Sequence, residues 1–383
     1  MNKKQYLTIV FVSVAASCQG QASYIPLGDL PGGGFGSSGA ALSGDGNVAT
    51  GWSITGDGLV SVNAYRWTQV AGMISLGQSN GTTFGNGLST SGSYIVGSIE
   101  AVPGVNGVRG AFWSASGDFH MIGDLPGGSE YSILGDVSDN GVAVGASSYA
   151  NGQFGPLQQA IRWTELGGLE ALGFLPGDDY SFAVDISADG KKIAGRGSTG
   201  TWTWTEQAGM VQATGSGFDL QGMTKDGDFL FGVNSTILDG RTVGIGTLWS
   251  EDQGLIELDR GVVPDSWVSD VARAASLDAE VVLGMRFALA DRNGAYIWFD
   301  QGKSGMFFED YLLANGLDLL AEGYIISEVS GVSDDGTRFL VQTFNPDGNV
   351  EAVLITVPSP GVLAVLSPIG LVALRRRRSP EPV

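Results

Sequence analysis

A short turn-and-strand pattern recurs seven times along this chain and restricts its possible folds more than any other feature of the sequence. Each copy has a polar turn, typified by Ser-x-Asp-Gly, followed by an apolar run that ends near glycine in most copies. The turns begin at Ser43, Ser89, Ser138, Ser187, Thr224, Ser276 and Ser333. Asp-Gly pairs favour tight turns between antiparallel strands, and Ser or Thr can cap such turns. The pattern therefore predicts seven equivalent β-hairpins.

A second pattern, a short strand that ends in tryptophan, alternates with the first. Its copies end at Trp67, Trp113, Trp163, Trp204, Trp249 and Trp298, and Ile355 takes the place of tryptophan in a seventh copy. The tryptophans are 41 to 50 residues apart, which is close to the roughly 40–50 residues of a propeller blade. Large rings at one repeat position predict packing between blades, and a stacking platform for sugars is the alternative. Trp52, Trp202 and Trp267 lie outside this position and are the better candidates for a platform.

The two ends of the repeat region complete each other. Tyr24–Leu27 enters a Leu-Pro-Gly turn of the kind that lies between repeats, and Val350–Val357 is the strand that elsewhere precedes that turn. Pairing of these strands would close a ring and protect its edges. We therefore predict an all-β, seven-bladed β-propeller over residues 23–357, in preference to an open solenoid.

The last repeat contains an insertion. The interval from Trp298 to Ile355 is longer than the others, and residues 306–320 carry an amphipathic helical pattern that is interrupted at Asn315-Gly316. Apolar residues at this spacing predict a short helix. We expect its apolar face to cap the propeller.

The repeat units resemble those of the HAF-repeat extracellular proteins. Those units read like A-F-x-W, G-x-L-x-x-L-G-x-L-P-G-G and S-x-D-G-x-x-V-x-G, and residues 24–357 share all three patterns. Asn63, Gly110 or Gln159 stands where a histidine opens the strand in the family. The resemblance implies a repeat fold and export, and it implies no activity because the family has none assigned.

The N-terminus carries a pattern that is typical of export. Lys3 and Lys4 precede the apolar stretch 7–16, and Gly20-Gln21-Ala22 offers small residues at a cleavage point. Residues 1–22 are thus predicted to be a secretory signal peptide, since the apolar run is too short for a transmembrane helix. Cys18, the only cysteine, follows a weak lipoprotein-like pattern in which Ala15 stands where Leu is favoured. Cleavage after Ala22 would leave a mature protein without cysteine.

Residues 358–383 form a second targeting pattern. A Pro-Ser-Pro motif is followed by the apolar segment 361–374 and then by an arginine cluster. The motif residues are Pro358, Ser359 and Pro360, and the cluster is Arg375, Arg376, Arg377 and Arg378. An apolar helix of this length reaches about 21 Å, less than the hydrocarbon core of about 30 Å. The segment resembles the PEP-CTERM sorting signal that an exosortase recognises, with Ser359 in place of Glu, and a simple tail anchor is the alternative.

The charge distribution restricts the partners. The formal net charge is −20. Without the basic residues of the two termini and Glu381, the body has 14 basic and 39 acidic residues. An acidic body repels phosphate backbones, so nucleic acid is not an expected partner. We expect contact with the membrane only through the terminal segments. The expected partners are an exosortase-type processing enzyme and an extracellular polysaccharide.

Residues that could carry catalysis or hold a cofactor are few. His120 is the only histidine and has no Ser or Cys partner in a recognisable motif, so we predict that the chain is not an enzyme. Calcium is the one metal with candidate ligands, which are Asp45, Asp139, Asp189, Asp226, Asp228, Asp334 and Asp335. No turn completes the ligand series of a calcium loop, and we predict no cofactor.

These features predict an exported, non-catalytic structural or binding propeller of the cell envelope or extracellular matrix, transiently anchored by its C-terminus. Its ligand could be a glycan, a cation or a protein. The alternative is a secreted carbohydrate-active enzyme that uses two carboxylates in the propeller channel. Two acids about 5–9.5 Å apart, one with a raised pKa, would favour the enzyme.

Overall fold

A computed structural model of the protein describes residues 21–358, except 57–61, 78–80, 101–106, 153–154, 239, 262–267 and 289–291. In these residues the chain forms seven antiparallel sheets of four strands each and one helix. The sheets are the blades of a β-propeller. The seven-bladed, all-β fold predicted from the repeats is therefore confirmed.

Each blade contains four strands, and the first strand of the chain, β1 (Ser23–Pro26), belongs to the last blade. Blade 1 contains β2 (Ser37–Leu42), β3 (Val48–Ile54), β4 (Val62–Thr68) and β5 (Gly72–Ser75). Blade 2 contains β6 (Thr82–Leu88), β7 (Tyr94–Glu100), β8 (Val108–Ser114) and β9 (Phe119–Ile122). Blade 3 contains β10 (Ser132–Val137), β11 (Ala143–Gly152), β12 (Gly155–Thr164) and β13 (Gly168–Gly173). Blade 4 contains β14 (Ser181–Ile186), β15 (Lys192–Gly197), β16 (Gly200–Thr205) and β17 (Gly209–Gly215).

Blade 5 contains β18 (Phe218–Met223), β19 (Leu230–Leu238), β20 (Arg241–Ser250) and β21 (Gly254–Glu257). Blade 6 contains β22 (Val268–Ala275), β23 (Val281–Ala288), β24 (Gly294–Phe299) and β25 (Ser304–Phe307). The helix α1 (Phe308–Ala314) follows, and β26 (Ile325–Val332), β27 (Arg338–Phe344) and β28 (Val350–Thr356) complete blade 7 with β1.

The repeated turn joins the first and second strands of each blade and is held by its own side chains. In blade 1 the hydroxyl of Ser43 donates to Asp45 Oδ1 at 2.6 Å and accepts from the backbone N–H of Val48 at 2.9 Å. Gly46 has φ +67°, a conformation that glycine adopts without strain. The same hydroxyl-to-Asp or hydroxyl-to-Asn bond recurs in the turns that start at Ser138, Ser187, Thr224, Ser276 and Ser333. The pattern that predicts hairpins in the sequence is thus a capped turn.

One hydrophobic cluster lies at each of the seven interfaces between blades. Five of the six repeat tryptophans are buried in these clusters, namely Trp67, Trp113, Trp163, Trp204 and Trp298. Trp249 is half-buried against the interface of blades 4 and 5. Trp202, a candidate platform in the sequence, is fully buried. The structure therefore places these rings in the core.

The helix α1 packs at the interface of blades 6 and 7. Phe308 is fully buried there, with its ring 5.0 Å from that of Phe339. Ile355, which stands where the other repeats have tryptophan, belongs to the same cluster. The predicted helical insertion is confirmed in a shorter form. The helix α1 ends before Asn315 and Gly316. Gly316 has φ +84°, which is unfavourable for most residues other than glycine.

The ring is closed as predicted. Strand β1 pairs with β28, with Ser23 opposite Thr356 and Pro26 opposite Val353. Ala22 precedes this strand, is 7% exposed and donates its backbone N–H to the carbonyl of Asn315 at 3.0 Å. Ser359, Pro360, residues 361–374 and the arginine cluster lie outside the described residues, as does the chain before residue 21. In the described part, no helix is both long and apolar enough to span a membrane.

Candidate functional site

The innermost strand of every blade faces a cavity of about 190 Å³ on the axis of the propeller. These inner strands are β2, β6, β10, β14, β18, β22 and β26. Each of these inner strands has a β-bulge relative to its neighbour, and a bulge turns one additional side chain out of the regular alternation. The bulged residues are Ala40, Asn86, Gly135, Val184, Gln221, Arg273 and Ser330. All seven line the cavity. The repeat thus supplies a ring of seven variable positions around one space.

The turns narrow the channel at one end of this cavity. Their second residues are Gly44, Thr90, Asp139, Ala188, Lys225, Leu277 and Asp334. Backbone hydrogen bonds join neighbouring turns, including Gly44 N–H to the Thr90 carbonyl at 2.9 Å and Asp334 N–H to the Gly44 carbonyl at 2.8 Å. A Cβ at Gly44 would lie 2.3 Å from Asp334 Oδ2 and 2.5 Å from Thr90 Cγ2. The side chains of Asp334 and Thr90 therefore pack tightly at this end.

An ionic triad joins the three successive blades 3, 4 and 5 at the cavity wall. The ammonium of Lys225 donates to Asp136 Oδ2 at 2.5 Å and to Asp185 Oδ1 at 2.9 Å. The side chains of Asp136 and Asp185 are 9% and 13% exposed. Asp185 Oδ2 also accepts from the backbone N–H of Met223 at 2.9 Å. The lysine neutralises charge that the two buried carboxyl groups could not carry alone.

The pKa values of the two acids in the triad are shifted in opposite directions. Burial raises the pKa of Asp136 well above its usual value, the nearby Asp185 adds to this, and Lys225 opposes it. Burial also acts on Asp185, but Lys225 and hydrogen bonds hold the pKa of that carboxyl below its usual value. Burial opposes the charge of Lys225, yet the two acids raise the pKa of its ammonium. Lys225 is therefore a cation at neutral pH, and Asp185 is its ionised partner.

Two further polar side chains of the cavity have unused hydrogen-bonding capacity. Asp334 accepts no side-chain hydrogen bond from the described residues, and burial and neighbouring acids raise its pKa against the effect of Lys225. Arg273 makes one hydrogen bond, from Nη1 to Gln221 Oε1 at 2.9 Å, and its Nη2 lies 4.0 Å from Glu328 Oε1. Most of the five guanidinium donors thus remain free for another acceptor.

An aromatic ring reaches the cavity through a gap in an inner strand. Phe231 lies on the second strand of blade 5, yet it lines the cavity. A Cβ at Gly222, on the inner strand, would lie 2.5 Å from Phe231 Cζ and 3.1 Å from Asp185 Oδ2. Glycine at position 222 therefore makes room for both the ring and the carboxylate.

The other sequence candidates lie elsewhere. His120 is on the outer strand of blade 2, where its Nε2 is 3.7 Å from Glu165 Oε1 and its ring centroid 5.5 Å from that of Trp163. Asp45, Asp189, Asp226 and Asp335 cap turns through their hydroxyl neighbours. In the described residues no group of three His, Cys, Asp or Glu side chains could hold a metal ion. None of these five side chains is among the described residues that line the cavity.

The sequence held a signal for the triad that motif searching does not use. Asp136 and Asp185 stand two residues before their turns, a position that the other five repeats fill with glycine or alanine. Two charged residues at a position reserved for small ones indicate a special environment at that point of two adjacent blades. The register shows that this position follows the bulge and faces the channel.

Solved structures are similar to this chain at low sequence identity. A puromycin hydrolase is 9% identical with a TM-score of 0.54, over 84% of this chain and 52% of the hydrolase. The periplasmic gluconolactonase of Pseudomonas aeruginosa is 13% identical with a TM-score of 0.39, over 84% of this chain and 96% of that one. TolB from Acinetobacter baumannii is 12% identical with a TM-score of 0.33, over 84% and 54%. No family model and no curated protein matches the sequence. The similarity shows the fold alone.

Proposed function

We propose that this chain is an exported, envelope-associated binding propeller that acts without catalysis and holds its ligand in the central channel. The observation that carries this proposal is that two acids of the channel share one lysine. Asp136 and Asp185 share the ammonium of Lys225 at 2.5 and 2.9 Å and lie within hydrogen-bonding reach of each other. A site of this kind positions donors and acceptors for recognition.

Glycosidic chemistry needs a different arrangement of acids. The two carboxyl groups of a glycosidase flank the scissile bond, about 5–9.5 Å apart, so that the substrate lies between them. Here Asp136 and Asp185 lie within hydrogen-bonding reach of each other and share Lys225 instead. A substrate that displaced the partly buried ammonium of Lys225 from the two acids would leave their charges uncompensated. This geometry supports a binding function over acid–base catalysis.

Export and sorting rest on the terminal patterns. Residues 1–22 resemble a secretory signal peptide, residues 24–357 resemble the HAF-repeat extracellular proteins, and residues 358–383 resemble a PEP-CTERM signal for an exosortase. Together they support a mature protein in the cell envelope or its extracellular matrix, with an extracellular polysaccharide as partner. The acidic body supports the exclusion of nucleic acid.

A hydrolytic enzyme is the second candidate, because the raised pKa of Asp136 suits a general acid. The test compares the wild type with D136N and with D228N, whose carboxylate is exposed. Each protein is incubated with a polysaccharide panel, and both reducing ends and binding are measured. We expect binding without turnover. Turnover that D136N abolishes and D228N retains would establish the enzyme instead.

Sorting has its own test. The intact mass of the protein from its native envelope should lack everything beyond about Pro360, as exosortase processing requires. An uncut chain that retains Arg375 to Arg378 would contradict sorting and leave the binding function to be judged separately.

A further inference from the structure

We propose that the narrow end of the channel binds one neutral saccharide unit through neighbouring hydroxyl groups. This inference rests on the proposed binding function and names its ligand class. The site consists of Asp334 and Lys225 at the turns, Phe231 at the side, and Arg273 on the ring of bulges.

Unused donors and acceptors lie next to each other at this end. Asp334 lines the cavity and accepts no side-chain hydrogen bond from the described residues. Lys225 uses two of its three N–H groups on Asp136 and Asp185, so one remains. Adjacent hydroxyl groups, each a donor and an acceptor, suit a carboxylate beside an ammonium.

The cavity also offers an apolar surface. The edge of Phe231 reaches it past Gly222, and Met223 also belongs to the lining. A sugar ring has a face of C–H groups between its hydroxyls, so it can contact Phe231 while its polar edge meets Asp334. A purely ionic ligand would gain nothing from this side of the cavity.

The size of the cavity limits the ligand to one ring. Its volume of about 190 Å³ is below the roughly 300–1,000 Å³ of pockets that hold drug-sized molecules. One monosaccharide unit is of a suitable size, either free or at the non-reducing end of a chain. A longer glycan would have to extend past the bulged residues, away from the turns.

The charges of the lining favour a neutral sugar. Asp136, Asp185 and Asp334 face the cavity with Lys225 and Arg273, and Glu328 lies 4.0 Å from Arg273. Acidic sugars would meet more carboxylates than cations, and metal ions find no group of three ligands in the described chain. A neutral unit avoids both conflicts.

The experiment titrates the full chain, isolated as it occurs, by saturation-transfer NMR and calorimetry. The probes are the methyl glycosides of glucose, galactose and mannose, together with galacturonate and glucosamine. We expect at least one neutral glycoside to bind. D334N should weaken binding at least tenfold, because it removes the charge that accepts hydrogen bonds from the sugar. The control D228N, with the same charge change on an exposed carboxylate, should bind like the wild type.

Thermal melts accompany each titration, so that loss of binding is compared only between folded proteins. Binding of galacturonate or glucosamine alone, or equal binding by D334N and wild type, would overturn the saccharide assignment while the binding function stands. Hydrolysis of any glycoside would overturn the non-catalytic function itself. Comparison of a free methyl glycoside with a reduced trisaccharide separates the sources, since only a site for chain ends binds both.

Discussion

Lys225 is the residue on which the channel depends most, because it is the cation shared by two buried acids. Replacing it with methionine keeps an unbranched apolar stem and removes the charge. Asp136 and Asp185 then face each other uncompensated, and removal of one partner from a buried ionic group typically costs about 3–5 kcal/mol. We expect K225M to lower the free energy of unfolding by about this amount at neutral pH, measured by urea denaturation.

A matched control is available in Lys191. Its side chain is 83% exposed and pairs with Asp189 on the surface at 2.8 Å. Surface ion pairs contribute little, so K191M should stay close to the wild type. Equal losses in K225M and K191M would show that Lys225 has no special role in the channel.

The pH dependence of this loss follows from Asp185. Burial acts against the charge of Asp185, but Lys225 and hydrogen bonds lower its pKa below the ordinary 3.8 in the folded protein. Its stabilisation is thus present above pH 3.8 and is lost as the pH falls through the folded pKa. K225M lacks this lowering and gains protons on its buried acids. We expect the difference in melting temperature between K225M and the wild type to shrink as pH falls from 7 to below about 4. A difference that widens over this interval would contradict the ionic interpretation.

The helix α1 packs at the one interface between blades where the repeat position holds no tryptophan, that of blades 6 and 7. Ile355 occupies the repeat position, and Phe308 of α1 fills the adjacent space against Phe339. F308A should destabilise the fold by about 3–5 kcal/mol, the usual cost of removing a buried aromatic ring. I355W alone should cost about 1–3 kcal/mol by overpacking.

The double variant F308A/I355W tests whether the two sites share one space. If tryptophan at position 355 replaces the ring of Phe308, the double variant should be more stable than the sum of the single losses predicts. Chemical denaturation of the four proteins gives the coupling energy. Additive losses would show that α1 does not compensate for the absent tryptophan.

Sequence patterns predict elements where local chemistry repeats, and they fail where geometry decides. The capped turns and the tryptophan strands recur in the sequence, so hairpins, blade number and the position of α1 could be predicted. The bulges could not, because a bulge changes pairing with a neighbouring strand while it leaves the composition of its own strand unchanged. Arg273 and Gln221 therefore showed no sign of facing a cavity. The helix is shorter than its pattern because Asn315 and Gly316 end it.

The candidate site is a property of the closed ring, and this is why the sequence could indicate it only in part. Asp136, Asp185 and Lys225 belong to three blades and are up to 89 residues apart. Their proximity requires seven blades around one axis, each with its bulge at the same point. The sequence alone shows that Asp136 and Asp185 replace small residues of the other repeats. It does not show their common partner, because Lys225 lies at a different repeat position from the two aspartates.

The closure of the ring by β28 is the feature of the whole molecule that is most directly testable. This strand lies between β27 and β1 and buries Val353 and Ile355 completely. Deletion of Val350–Val357 removes the partner of β1 and empties two interfaces between blades. We expect the truncated protein to lose its cooperative thermal transition.

A circular permutant serves as the control, with residues 21 and 358 joined by a glycine-serine linker and new termini in the exposed turn at Val70. It retains every strand and makes β5 the outer N-terminal strand, as β1 is now. Its melting temperature should stay within about 4 °C of the wild type, a shift of roughly 1 kcal/mol. A truncated protein that melts as the permutant does would show that the blades hold together without closure.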